Sequence, residues 1–250
     1  MSDRAWTGPR SIEPKGASDL RIFPDAHSLA RAAAEAVAAA AADAIRARGW
    51  FDLGLSGGRT PGRAYRRLAE PDLGIDWSRA RLWFADERAV PPTDPDSNFR
   101  LALETLIEPA RVPMANVHRM RAEQLDLAAV AAEYEVLLTG PLDVLVLGVG
   151  EDGHTASIFP GSPLVDERQR RVAAVFDSPK PPSRRLTVTP RVIEETRQVL
   201  VLATGEDKAA AVAGALVGAS DPHRVPACLL RGRTWLIDQA ASGAVGGRPA

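Results

Sequence analysis

The residues best suited to chemistry in this 250-residue chain are Asp152 and His154, set in the run Asp143-Val-Leu-Val-Leu-Gly-Val-Gly-Glu-Asp-Gly-His-Thr-Ala-Ser-Ile-Phe-Pro160. Histidine titrates near neutral pH and can take a proton from water. A carboxylate, Asp152, stands two residues away. Val144, Leu145, Val146 and Leu147 form an apolar run that reads as a buried strand of a parallel sheet. Gly148, Gly150 and Gly153 then break it, where the backbone can bend sharply or approach a ligand closely. Ligands of open α/β sheets bind beyond the carboxyl ends of the strands, so the pair is expected in a crevice.

Two glycine patterns offer competing chemistry. Gly148-Val-Gly150-Glu-Asp-Gly153 fits the G-x-G-x-x-G of dinucleotide sites. That site needs a helix opening at its last glycine to hold the pyrophosphate, and Pro160 and Pro163 leave room for only a turn or two. Gly54-Leu-Ser56-Gly-Gly58 fits the G-x-S-x-G of serine hydrolases. A nucleophile elbow begins its helix almost at the serine, whereas here Thr60 reads as the N-cap and Pro61 as the first helical residue. Ser56, Gly57, Gly58, Arg59 and Thr60 therefore read as an open loop. Backbone N–H groups at a helix N-terminus, beside a guanidinium, suit an anion and phosphate above all; a plain βα turn is the alternative. His27, His118 and His223 show no ligand spacing to another His, Cys or carboxylate pair, so no metal site is expected.

The elements that must position these residues alternate along the chain. Strands are expected at 20–23, 51–55, 81–85 and 144–147, with later ones at 171–176, 185–189 and 198–203 and a final pair at 227–230 and 233–238. Helices are expected from Asp25 to about Arg48, then at 61–70, 98–107, 122–138 and 206–217. Leu29, Ala33, Val37, Ala41 and Ile45 share one face of the first helix. This alternation predicts an α/β fold: a doubly wound, mostly parallel, Rossmann-like sheet with helices on both faces and small C-terminal strand additions. One domain is expected over 19–240, between a flexible arm at 1–18 and a flexible tail at 241–250.

The hydrophobic content of 45% is ordinary for a protein with a real core. A formal net charge of −1 gives no reason to expect a nucleic-acid or anionic-membrane partner. Cys228 stands alone and cannot form an internal disulfide, which suits a reducing compartment. No apolar stretch is long enough to span a bilayer, and the N-terminus lacks the apolar core of a secretory signal. A cytoplasmic protein is expected, a monomer or small homo-oligomer.

Several blocks, in order over about residues 20–238, resemble the 6-phosphogluconolactonase family of the glucosamine-6-phosphate isomerase-like superfamily. They are Ser56-Gly-Gly-Arg-Thr-Pro61, Asp86-Glu-Arg88 with Asp96-Ser-Asn-Phe-Arg100, Asn116-Val-His118, the run from Gly148 to Pro160, Ser178-Pro-Lys-Pro-Pro-Ser183 and Gly205-Glu-Asp-Lys208. The resemblance implies hydrolysis of the δ-lactone of 6-phosphogluconate, the second step of the oxidative pentose phosphate pathway, without metal or organic cofactor. It implies His154 as the base that activates water and Asp152 as its orienting partner or a brace of the loop. Asp86 and Arg88 are implied as active-site residues, with Arg88 on the phosphate or the carbonyl side. Lys180 is implied as a substrate cation, and Arg184 and its neighbour Arg185 as further phosphate candidates. A lactone is reactive enough for direct attack by water, so Ser56 belongs to the binding loop.

Two rivals are distinguishable on residues. Glucosamine-6-phosphate deaminases resemble this chain at the glycine loop and the Asp-Gly-His motif, but carry a carboxylate five residues past the histidine. This chain has Phe159 there, and a phenyl group carries no proton for ring opening. A non-catalytic sugar-phosphate sensor would bring a helix-turn-helix, and the arm at 1–18 is too short to hold one.

Overall fold

The alanine-rich segment after Asp25 has the strongest local reason to be helical. In the computed structural model, which describes residues 10–12, 19–217, 221–243 and 245, it forms α1 (Ala26–Arg48). Asp25 caps its start by accepting from the backbone N–H groups of His27 and Ser28, and Gly49 ends it at φ +83°, a left-handed conformation that glycine adopts at least cost. Leu29, Ala33, Val37 and Ala41 are buried, and Ile45 packs at the margin of the core.

The strands in chain order are β1 (Arg10–Ile12), β2 (Asp19–Phe23), β3 (Phe51–Leu55), β4 (Ala80–Phe84), β5 (Asp86–Arg88), β6 (Val144–Gly148), β7 (Val172–Val175), β8 (Arg185–Val188), β9 (Gln198–Ala203) and β10 (Thr234–Asp238). The helices after α1 are α2 (Arg59–Leu68), α3 (Asn98–Ala102), α4 (Leu127–Leu137), α5 (Pro190–Glu195) and α6 (Ala209–Leu216). The main sheet runs β1-β2-β10-β9-β6-β3-β4, parallel throughout except for β1. Val144, Leu145, Val146 and Leu147 are all buried, as expected of a strand covered on both faces.

The winding decides where a site can form. From β3 the chain moves outward to β4, then returns to the other side of β3 as β6 and continues to β9 and β10. The direction reverses between β3 and β6, which pair through Leu53↔Val144 and Gly54↔Leu145. Loops leaving the carboxyl ends of these two strands therefore part, and a crevice opens. The glycine loop and the histidine loop both begin there.

Four expectations need correction. The segments expected at 171–176 and 185–189 do not join the parallel sheet; β7 and β8 pair antiparallel, and β5 pairs antiparallel with β8, in a separate three-stranded sheet. An apolar strand pattern marks a strand but not its partner. The link is Ala85, whose carbonyl accepts from the Val188 N–H at 2.7 Å as the chain leaves β4. Residues 227–230 form no strand: Pro226 opens a 3-10 turn, Pro226–Leu230, a position that suits a residue lacking an N–H. Within the arm, Arg10–Ile12 pairs with β2 in the register Arg10↔Ile22, because an open sheet edge accepts backbone hydrogen bonds from almost any sequence. At the other end, Ala241 is buried, with its N–H donated to Asp238 Oδ1 at 2.8 Å. The remainder of the arm and tail lies outside the described residues. Among the described residues no helix is long and apolar enough to cross a membrane.

Candidate active site

Gly58, at φ +107°, turns the chain so that α2 begins at Arg59, two residues earlier than expected. No side chain caps this helix. Thr60 is not its N-cap; its hydroxyl lies 2.7 Å from that of Thr204 and ties the loop to the end of β9. Tyr65 holds the backbone of Ser56, donating to its carbonyl at 2.9 Å and accepting from its N–H at 2.8 Å. The early helix start removes one argument against a nucleophile elbow. The hydroxyl itself supplies another: Ser56 Oγ is buried without a hydrogen-bond partner, so no histidine activates it. A Cβ on Gly57 would stand 1.8 Å from Asn98 Oδ1, so only glycine fits against that amide.

Asp86 is buried with both carboxylate oxygens occupied. Oδ1 accepts from Asn98 Nδ2 at 2.9 Å and Oδ2 from Ser157 Oγ at 2.7 Å. It thereby joins the segment carrying His154 to the amide packed on Gly57. Glu87 accepts from the backbone N–H groups of Arg88, Asn98 and Phe99 and from the Ser97 hydroxyl, holding the start of α3; burial pushes its pKa up. Arg88 donates from Nη1 to the Asp96 carbonyl at 2.6 Å, while its buried Nε has no partner.

His154 Nδ1 lies 2.5 Å from Asp152 Oδ1. Burial alone would raise the Asp152 pKa, but the hydrogen bond and charge of His154 more than offset it and bring it to about 2. The carboxylate therefore stays ionised and can only accept, so Nδ1 donates to it, and in the neutral imidazole the lone pair is on Nε2. A Cβ on Gly150 would stand 2.0 Å from Nδ1; this glycine makes room for the imidazole. Gly148 has no neighbouring atom within 4 Å of such a Cβ and faces the cavity. The expected lack of a pyrophosphate-binding helix is observed: the chain turns after Gly153, and the next helical segment is the 3-10 turn Pro163–Asp166.

The crevice encloses about 500 Å³ and brings Ser56, Gly57, Gly58, Arg59 and Thr60 together with Asp86, Arg88, His154 and Lys180. Asp152 stands behind the histidine. Lys180 Nζ lies 3.0 Å from Glu151 Oε1 and 3.8 Å from Asp152 Oδ1. Arg184 does not line the cavity; it donates to the Leu125 carbonyl at 2.6 Å and lies over the Phe176 ring. Arg185 lines the cavity instead. Arg63 and Lys208 also line it and were missed as site residues. Their signals were present: Arg63 falls one helical turn after Arg59, and Lys208 ends the Gly205-Glu-Asp-Lys208 block just beyond β9.

A doubly wound α/β protein whose switch-point crevice holds a carboxylate-bound histidine and several cations is of the kind that handles small phosphorylated metabolites. Residues 24–237 match the sequence model of glucosamine-6-phosphate isomerases/6-phosphogluconolactonase, and the chain belongs to that family. A 6-phosphogluconolactonase of Mycobacterium tuberculosis is 39% identical over 241 residues, covering 90% of this chain and 97% of that protein. The structure of a 6-phosphogluconolactonase from Trypanosoma brucei superposes with a TM-score of 0.81 at 29% identity, covering 91% of this chain and 98% of the other. A monomeric glucosamine-6-phosphate deaminase reaches a TM-score of 0.78 at 24% identity, covering 90% and 99%, a likeness of fold alone.

Proposed function

We propose that this protein hydrolyses 6-phospho-D-glucono-1,5-lactone to 6-phospho-D-gluconate, in the oxidative pentose phosphate pathway. The observation that carries the reading is the Asp152–His154 pair opening onto a cation-lined crevice with an uncapped helix N-terminus. Phosphate is held by the Gly57–Thr60 backbone with Arg59 and Lys208. His154 Nε2 takes a proton from water as the water oxygen bonds to the lactone carbonyl carbon. Charge gathers on the carbonyl oxygen; its return re-forms the double bond and breaks the bond from C1 to the ring oxygen. The imidazolium returns its proton to that ring oxygen, and the product acid loses its own proton to water. Asp152 keeps the imidazole in the tautomer this needs, and Asp86 holds the two loops in register from behind.

Phe159 weighs against sugar-ring opening, since a buried phenyl ring with its centroid 4.6 Å from that of His154 fills the space with no proton to exchange. The test is a lactone hydrolysis assay of purified protein against a blank without protein, because the lactone decays by itself. Acceleration is expected, with no ammonia released from glucosamine 6-phosphate. A rate equal to the blank would remove the proposal and favour a binding protein.

A further inference from the structure

Arg88 and Arg185 are direct cross-strand partners in the β5–β8 pair, and both line the cavity. Like charges opposed on neighbouring strands destabilise a sheet. Arg185 is also only 4% exposed, and a buried guanidinium is costly unless its charge is matched. Among the described residues neither arginine forms an ion pair; Asp86, Asp96 and Asp152 offset the charge of Arg185 only from beyond ion-pair distance.

Arg185 is nevertheless rigidly held. Its Nε donates to the Pro182 carbonyl at 3.0 Å, and Nη2 to the carbonyls of Lys180 and Pro181, both at 3.1 Å. Its Cζ lies 5.4 Å from the Phe159 ring centroid, whose other aromatic neighbour is His154. Among the described residues these contacts leave Nη1 without a protein acceptor, and they place the guanidinium one phenyl ring from the imidazole. Arg88 likewise keeps a buried Nε without a partner. Two fixed cations on neighbouring strands, each with N–H capacity to spare, await an anion.

We propose that Arg185, paired with Arg88, receives the lactone end of the substrate: the carbonyl oxygen as it gains charge, and then the carboxylate of the product. This rests on the lactonase reading above. In that reading the phosphate sits on the glycine loop, which lines the same crevice. Guanidinium donors match the two oxygens of a carboxylate, and the repulsion between the arginines is relieved most when the opposing charge is greatest, which favours the transition state over the neutral lactone.

The test compares two ligands by calorimetry: 6-phosphogluconate, and glucitol 6-phosphate, which keeps the phosphate but lacks the carboxylate. Arg185→Gln should weaken 6-phosphogluconate at least about tenfold and leave glucitol 6-phosphate within about twofold. It should also lower kcat for the lactone. Equal weakening of both ligands, or of neither, overturns the proposal. Because Arg185 also braces residues 180–182, Arg185→Lys is measured alongside. Lysine keeps the charge without the planar fork, so the ratio of the two affinities should still fall several-fold. If Arg185→Gln does not fold by thermal melting, an unchanged ratio in Arg185→Lys overturns the proposal by itself. A parental protein that binds both ligands but does not hydrolyse the lactone sinks the lactonase reading alone, since the binding comparison needs no turnover.

Discussion

Asp152 Oδ1 and His154 Nδ1 lie 2.5 Å apart although only one residue separates them in the chain. Gly150 makes this possible by leaving the space that the imidazole occupies. The pair is thus built within a single loop, before any distant element contributes.

His154→Ala should remove most lactonase activity, by about 10²-fold to 10⁴-fold for a lost general base, while 6-phosphogluconate binding stays within several-fold. Asp152→Asn should lower kcat in the same direction, because an amide can present its NH2 to Nδ1 and move the imidazole hydrogen to Nε2. Steady-state kinetics with a binding titration separates the two effects. Parental kcat in His154→Ala means the base is another group.

The Asp152 pKa of about 2 lies below its ordinary 3.8, which fixes the sign of a stability effect. A depressed carboxylate stabilises the folded chain above about pH 3.8 and loses that contribution as pH falls towards 2. The Tm difference between the parent and Asp152→Asn should therefore shrink as pH falls from about 4 towards 2. A difference that grows between about pH 4 and pH 2 would contradict the pairing.

The two glycines flanking Val149 should behave differently. Gly150→Ala pushes a methyl group into His154 Nδ1 and should cut kcat at least about tenfold, on the scale of a displaced catalytic group. Gly148→Ala meets no protein atom within 4 Å; it should keep the parental Tm and mainly raise KM. Circular-dichroism melts beside the kinetics would distinguish them. Similar losses in both variants would argue for a general disturbance of the loop.

Cations around the crevice should divide in the same manner. Replacing Arg59, Lys180 or Lys208 with Ala should chiefly raise KM, as expected for groups that hold the phosphorylated substrate in ground and transition states alike. Arg184→Ala should leave KM within about twofold, since its guanidinium is engaged with Leu125 and Phe176 and an exposed pairing contributes little. A large KM effect at Arg184 would mean that the 180–185 loop rearranges on binding.

Ser56→Ala should retain substantial activity, and serine-directed phosphonates should leave the enzyme active. The hydroxyl has no hydrogen-bond partner to activate it. Stoichiometric labelling of Ser56, seen by mass spectrometry, would restore the nucleophile elbow.

Local physics made much of this protein legible from residues alone. The cap at Asp25, the stop at Gly49, the apolar run ahead of Gly148 and the Asp152-Gly-His154 corner all depend on neighbours in the chain, and the structure has them where the sequence put them. The family blocks carried the rest of the candidate site, except where direction in space mattered. Arg184 and Arg185 are adjacent at the start of β8, and extended backbone sends adjacent side chains to opposite faces, but that does not say which face meets the cavity. That depended on β8 pairing with β5 and β7 in a second sheet, a long-range choice with no local signature. The same pairing set Arg88 against Arg185 and left two neighbouring cations at one crevice. Sequence determined that a histidine and its carboxylate would meet; only the tertiary structure decided which charges would face them, because the partner of a strand is chosen by the whole sheet.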